Sequence, residues 1–507
     1  MTFSLEPPYA TDEPEHKGNR SRVASEYDVT ADMTKPYYNP RGLNWFVTGL
    51  FVVGDLAGGG LVALPTAMIQ SQFYAGLVVC VVMICVVTYT AYVLGLSWNI
   101  LLNTWPQYRH HCRKPYPEIG GRALGPICQT LVSICIDVTQ FMIAVVYLLL
   151  SSKNIQNFIK AFFGGNISFC IVILVVAVCL LPLTFLKSPQ DFWWAVVIAM
   201  ITTSCAVILI IVGSSIDLEA CHPLKQMPSF NIKNYFLALG TFLFAVGGHS
   251  AFPTIQHDMR NPAQFTWSVA LAFSVMAMMY IPVCIMGWYV YGDSLRDSII
   301  PSIQTVWIQQ AINILITVHC ILTLTIVFNP LNQEIEDLLQ VPHKFGIQRV
   351  AVRTGIMFAV VVVAESVPVF GPLLDLVGGS TLTLTSVILP CLFYLFLQAY
   401  KNKEEVTGKP GDGPVSFNDV FNYNDQKTIV VCCIIMVIGV IGGGAATYSA
   451  IVELTTTDFA LPCYVSVFMH NNNSDPGNDQ TNCCGAAQDF THISGQQCSP
   501  PNLHFYD

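Results

Sequence analysis

The sequence predicts an all-α integral membrane protein with eleven transmembrane helices, and three observations carry that expectation. Of the 507 residues only 11% are charged and 53% are hydrophobic, with a mean hydropathy of +0.54. Soluble chains carry about a quarter charged residues, so a water-facing surface cannot be built from this composition. Apolar runs such as 195–213, 269–291 and 429–446 approach or exceed the roughly 20 residues that a helix needs to cross a bilayer core. The basic residues, finally, alternate between loops in a way that fits one orientation.

The first 44 residues are polar and interrupted by Pro7, Pro8, Pro14 and Pro36. They read as a disordered cytoplasmic tail (1–44) without a cleavable signal peptide, the first apolar helix serving as the insertion signal. Spans are expected at 45–69, 73–95, 128–151, 168–186, 191–213, 235–257, 266–291, 305–328, 350–370, 374–399 and 428–452. With a cytoplasmic N-terminus, that side holds all of the 23 Lys and Arg residues except Lys153, Lys160, Lys225, Lys233 and Arg296. The positive-inside rule selects this orientation, with Arg349 and Arg353 at a helix edge. Residues 45–452 form the transporting unit, and eleven crossings leave a tail at 453–507 on the extracellular or lumenal side.

That tail has no Lys or Arg. The sequons at Asn166 and Asn472 fall on the same side, Asn472 being the better glycosylation acceptor. So do Cys221, Cys463, Cys483, Cys484 and Cys498, the disulfide candidates of an oxidising compartment. Their odd number leaves the pairing open, and one thiol can stay free. Most of the remaining cysteines of the 18 lie in spans and read as small packing residues; none has metal-ligand spacing.

Two spans carry an anomaly. The first contains Gly58, Gly59 and Gly60 followed by Pro65, and the sixth contains Gly247 and Gly248 followed by Pro253. Both therefore read Gly-Gly, four residues, Pro. A glycine costs about 1 kcal/mol in a helix interior and a proline about 3. The freed backbone groups must be satisfied by protein, water or ligand, because hydrocarbon cannot do it. If helices one to five and six to ten form two inverted repeats with an eleventh appended, the breaks open each half. Paired broken helices mark a midplane substrate site, where half-helix N-termini favour anions and unwound carbonyls favour cations. The carboxylate and ammonium of an amino acid present those two charges. Close helix packing and simple kinking are the alternative explanation of the glycines and prolines.

Gly58-Gly59-Gly60 with Pro65 and Ala67 resembles the first-helix signature of the amino acid/auxin permease family. Gly248-His249 with Pro253, Met259, Pro262 and Phe265 is similar to that family's sixth helix and following loop. Gly287 with Gly292, Asp293 and Ser294, and Pro368 and Phe370 with Gly378 and Gly379, fit its seventh, ninth and tenth helices. The resemblance spans about 42–452 and implies a leucine-transporter-like 5+5 inverted repeat plus one helix. It further implies cotransport or exchange of amino acids with protons or sodium, with the backbone at Gly58, Gly59, Gly60, Gly247 and Gly248 facing substrate. Two features depart from the family: the long tail with its cysteines, and Gln70-Ser71-Gln72-Phe73 where many members place a glycine-containing turn.

Ionisable side chains inside spans are candidates for ion coupling. Asp55, one turn before the glycines, is the first choice as proton acceptor or counter-ion, against a structural capping role. His249 adjoins the second break and titrates near neutral pH when unperturbed; a neutral hydrogen-bonded histidine is the alternative. Asp137, Glu365 and Asp375 read as polar packing or vestibule lining. A sodium site would draw on Thr317, Thr323 and Thr325 with first-helix carbonyls, and protons rank ahead of sodium. No catalytic triad, phosphate-binding loop or His-x3-His pair appears, so the chain is not expected to be an enzyme. The expected partners are an amino-acid substrate, small and neutral, and the bilayer. No nucleic acid and no cofactor beyond the coupling ion is expected, and oligomeric state stays open. An amino-acid sensor signalling through the cytoplasmic tail and a channel are the rival readings, though paired interrupted helices fit alternating access better than a channel.

Overall fold

Glycine and proline punctuate the apolar runs where the chain turns, and the runs between them are helical. The computed structural model describes residues 36–40, 42–110, 112–164, 167–185, 193–342, 346–408, 413–456, 462–465, 481–493 and 498–506. In order these are α1 (Trp45–Leu56), α2 (Leu64–Gln70), α3 (Phe73–Thr104), α4 (Pro115–Leu124), α5 (Pro126–Phe163), α6 (Phe169–Thr184), α7 (Trp193–Cys221) and α8 (Ile232–Val246). There follow α9 (Phe252–His257), α10 (Phe265–Val290), α11 (Val306–Leu338), α12 (Ile347–Ser366), α13 (Phe370–Val377), α14 (Leu389–Thr407), α15 (Phe417–Tyr423) and α16 (Gln426–Thr456). Two π-helical turns, Gly378–Leu382 and Leu384–Ile388, join α13 to α14 into one run. Among the described residues strand pairing is confined to isolated bridges.

Among the described residues eight helices are long and apolar enough to cross a membrane: α3, α5, α7, α10, α11, α12, the α13–α14 run and α16. α1, α6 and α8 are apolar but shorter. The first and sixth expected spans are thus each split, into α1 with α2 and α8 with α9. The third runs well past its expected end at 151. Hydropathy stops at the polar stretch from Ser151 to Asn157, but Ser151, Ser152, Asn154, Gln156 and Asn157 are buried and the helix carries them inward. α5 ends only where Gly164 takes a left-handed conformation, φ 61°.

α1 and α9 meet at one end of the bundle. The backbone of Leu43 exchanges hydrogen bonds with Asp258 and Arg260, at 3.0 and 2.7 Å. Asn44 caps α1 by accepting from the Val47 amide at 2.8 Å, a contact that contributes about 1 kcal/mol. α2 packs beside α8 toward the other end. Each broken helix therefore contributes one half to either end, running antiparallel to its counterpart. Gln72, in the segment where the resembled family has glycine, adopts φ 60° between α2 and α3, a conformation that glycine adopts freely. Its side-chain amide donates to the Pro228 carbonyl at 3.0 Å, which holds the turn.

At the α1–α9 end sits a cluster of buried charge. Arg353 of α12 is fully buried, donates to Glu336 of α11 at 2.5 Å and also to the Thr184 carbonyl that closes α6. Arg349 reaches the same carboxylate at 3.1 Å. Closer to the surface Arg113 pairs with Asp337 at 2.7 Å and Lys114 with Glu334 at 2.5 Å. The same end carries α15, whose capping box joins Ser416 and Asp419. The hydrogen bond from Lys403 holds the Asp419 carboxyl below its usual range.

The opposite end is covered by the C-terminal segment, and there the cysteine expectation is corrected. Cys170 pairs with Cys463, Cys221 with Cys484 and Cys483 with Cys498, with Cα separations of 5.6, 5.3 and 5.4 Å, all within the normal span for disulfides. All five expected cysteines are bonded. The missing sixth is Cys170, assigned by hydropathy to a span but lying in the first turn of α6 at this covered end. Asn166, Asn472 and residues 1–35 lie outside the described residues.

The described tail grips the loop between α10 and α11. Asn482 donates from its backbone to Pro301 at 2.9 Å and accepts from Gln304 at 3.0 Å. Gln488 donates to Ser294, and Tyr506 to Leu295, at 3.1 and 2.9 Å. Arg296 donates to Asn502 at 2.7 Å. Loops closed by long disulfides lose denatured-state entropy, typically 2–4 kcal/mol per bond. The double variant C221S/C484S is expected to melt below wild type in non-reducing buffer and with it in reductant. Identical melting in both buffers would show that the bond adds nothing.

Candidate functional site

At the first break the chain leaves helical geometry at Ala57 and resumes it at Leu64. Its backbone groups find partners locally and at a distance. Leu61 and Ala63 donate to Gly58 and Gly60 at 3.0 and 3.1 Å, forming tight turns. The Val62 carbonyl accepts from the Ile299 amide at 2.9 Å, so the loop gripped by the tail also holds the break. The Ala57 carbonyl accepts from the Thr203 hydroxyl of α7 at 3.0 Å. At the second break the Ala245 carbonyl accepts from Tyr280 at 3.1 Å, and Gly248 and His249 accept from Ala251 and Phe252, both at 3.2 Å.

The two breaks cross. A Cβ built on Gly60 would lie 2.6 Å from the Cα of Ala245, and one on Gly59 2.8 Å from the Tyr147 ring of α5. A Cβ on Gly248 would strike Leu56, with Asp55 Oδ2 at 3.8 Å, and one on Gly58 would strike the imidazole of His319. Gly247 lies 3.3 Å from the Ser386 hydroxyl by the same construction. The five glycines singled out from sequence thus gather at one place, because only glycine permits backbone to approach backbone and ring this closely. Asp55 joins them, half-buried at the end of α1 and facing Gly248.

His249 does not face the glycines. It is fully buried and turned toward α3, with Nε2 at 3.0 Å from both the Thr90 hydroxyl and the Val87 carbonyl. Thr90 gives its hydrogen to Val87, so Nε2 carries the imidazole proton and donates. The ring packs 4.7 Å from that of Phe252. Asp375 is buried and accepts from Thr241 of α8 at 2.5 Å; with Thr66, Gln70 and Asp297 it lines a small cleft on the tail side of the breaks. Glu365 stands beside the Cys170–Cys463 disulfide. Asp137 lies one turn from Ser133, which donates to Glu334 at 2.5 Å. Thr325 bonds back to Ile321 and the buried Thr317 hydroxyl is unpartnered, whereas Thr323 reaches His319 at 3.1 Å.

His319 is the functional candidate that sequence reasoning missed. It lies in the middle of α11, fully buried. Its Nδ1 is 2.9 Å from the Thr203 hydroxyl and 3.2 Å from the Ala199 carbonyl, both on α7. Tyr147 stands edge-on with ring centroids 6.4 Å apart. The signal was present, since an ionisable side chain in an apolar span is itself a pointer.

Crossed helix breaks inside a helical bundle rich in apolar spans define a multi-pass membrane protein. Over residues 41–448 the sequence matches the family described as transmembrane amino acid transporter protein, and the chain belongs to that family. It is 25% identical to the amino acid transporter AVT1J of Arabidopsis thaliana, across 71% of this chain and 84% of that one. It is 24% identical to lysine histidine transporter-like 1 of the same plant, across 80% and 90% of the two chains. Among solved structures, the crystal structure of MhsT in complex with L-phenylalanine aligns with 81% of this chain and 100% of its own, at TM-score 0.49 and 11% identity. The chain thus stands with transporters and not with enzymes.

Proposed function

We propose that the protein is a secondary active transporter of small neutral amino acids, coupled to protons. The observation that carries this reading is the crossing of the two breaks, with Gly60 against Ala245 and Gly248 against Asp55, in a chain of this family. Glycine backbone at that crossing supplies carbonyls and amides to the ammonium and carboxylate of a substrate. The close approach of Tyr147 and Ala245 favours a small side chain. Apart from Asp55 the side chains that touch the glycines are uncharged or imidazole, which favours a neutral one.

In this reading α1, α6 and α8 cross together with the eight long helices, giving eleven passages in a leucine-transporter-like 5+5 arrangement plus one. The N-terminus is cytoplasmic, and the disulfide-bonded tail faces an extracellular or lumenal space. The three cystines, all at one end, support that orientation.

The test is uptake into proteoliposomes of a panel of labelled neutral amino acids under an imposed pH or sodium gradient. Accumulation driven by acid on the tail side is expected. Uptake driven by sodium alone would replace protons with sodium, and binding without passage under either gradient would favour a sensor.

A further inference from the structure

We propose that His319 is the proton-binding group of this transporter, seated between the first helix break, α7 and α11, so that its charge state controls how α1 docks. The proposal rests on the transport reading above and names the residue that performs its coupling step.

The hydrogen atoms around the ring can be assigned by counting donors. Thr203 has one hydroxyl hydrogen and gives it to the Ala57 carbonyl at 3.0 Å. Nδ1, 2.9 Å from that hydroxyl oxygen and 3.2 Å from the Ala199 carbonyl, must then be the donor. Nε2 is left with its lone pair, facing Gly58 and the Thr323 hydroxyl at 3.1 Å. Neutral His319 is fully satisfied when Thr323 donates to Nε2. A proton added at Nε2 turns the imidazole into an imidazolium, with no other bond made or broken. Thr323 then rotates to accept. The four oxygens facing or bridged to the ring, from Ala57, Ala199, Thr203 and Thr323, are all able to accept, so the seat suits a cation.

Those oxygens are also the kind that a sodium ion would require. Here the imidazole fills the space, and a Cβ on Gly58 would collide with it. The seat therefore takes its positive charge as a proton on a tethered side chain.

Among the described residues the titratable neighbours are few. Tyr147 faces the ring from α5, Cys320 adjoins it on α11, and Asp55 lies three residues before Gly58 on α1. α7 offers hydroxyl and carbonyl oxygens only at this contact. The ring's partners are Thr203, Ala199, Thr323 and Tyr147, with no Lys or Arg among them, so nothing cationic opposes the added proton there. Because the Thr203 hydroxyl bridges Ala57 and His319, moving α1 away from α7 removes an acceptor from this network. Protonation accordingly favours docked α1, and loss of the proton frees it, which is the reciprocal linkage that coupled transport needs.

The experiment compares wild type with His319→Gln in proteoliposomes, measuring pH-driven accumulation and proton-independent exchange of the same labelled amino acid. His319→Gln is expected to lose accumulation by at least about tenfold more than it loses exchange, with a flat pH profile. Accumulation and exchange falling in step, or neither falling, would overturn the assignment. Absence of pH-driven accumulation in wild type would overturn the transport reading together with it. If His319→Gln is not recovered folded, Thr203→Val and Thr323→Val decide the matter. Each removes an acceptor from the imidazolium and should move the pH midpoint of uptake about half a unit or more toward acid. A fixed midpoint in both counts against His319.

Discussion

Alanine in place of Gly60 is expected to reduce uptake by about ten- to a hundredfold. The added Cβ would lie 2.6 Å from the Cα of Ala245 and 2.9 Å from its Cβ, with the Ala245 amide nitrogen at 3.1 Å. The first and last of these are backbone atoms, so no side-chain rotation can make room. Overpacking at such contacts costs about 1–3 kcal/mol, and each 1.4 kcal/mol is a factor of ten in the population of the docked state. Gly444 of α16 provides the control, because a Cβ there meets nothing within 4 Å. Gly444→Ala should leave uptake unchanged. Equal uptake by both variants would mean that the breaks separate widely during the cycle and that their contact is incidental.

The second large effect falls on stability. Arg353→Met removes a fully buried guanidinium from Glu336 and from the Thr184 carbonyl. The Glu336 carboxylate keeps Arg349 at 3.1 Å but loses its shorter bond, and the Thr184 carbonyl loses a charged donor; hydrogen bonds to charged groups contribute about 1.5–3 kcal/mol each. A lower melting temperature and poor recovery of folded protein are expected. Adding Glu336→Gln should deepen the loss, since it takes the carboxylate away from the buried Arg349 guanidinium. If the double variant melts above the single one, the Glu336 charge does not support Arg349.

Positions whose consequences are local were legible in the sequence. Gly58 to Gly60, Gly247 and Gly248 each stand a few residues before a proline, and Pro65 and Pro253 restart the helix as residues of its first turn, whereas Gly442 to Gly444, with no proline after them, stay inside α16. Partners far apart in the chain were not legible. Arg349 and Arg353 entered a charge count as loop-edge residues, and nothing local showed that α12 would bury them against Glu336. The extra turns of α5 were hidden because Ser151 to Asn157 look like loop until α11 covers them. His249 is adjacent to a break in sequence, yet its ring points at α3. His319 has no glycine near it in the chain but lies against Gly58 in space, through a contact between the first break and α11 that periodicity does not encode.

The three disulfides also bear on how the molecule is made. Cys170 and Cys221 precede their partners by 293 and 263 residues. Until the distal cysteines have been synthesised and brought to the same end of the bundle, both thiols stay reduced beside a nearly complete set of helices. Oxidation at these two positions therefore dates the completion of assembly. A pulse-labelled cohort treated with a thiol-reactive polymer should lose reactivity at Cys170 and Cys221 only after the tail has docked, giving a clock for maturation read from a gel.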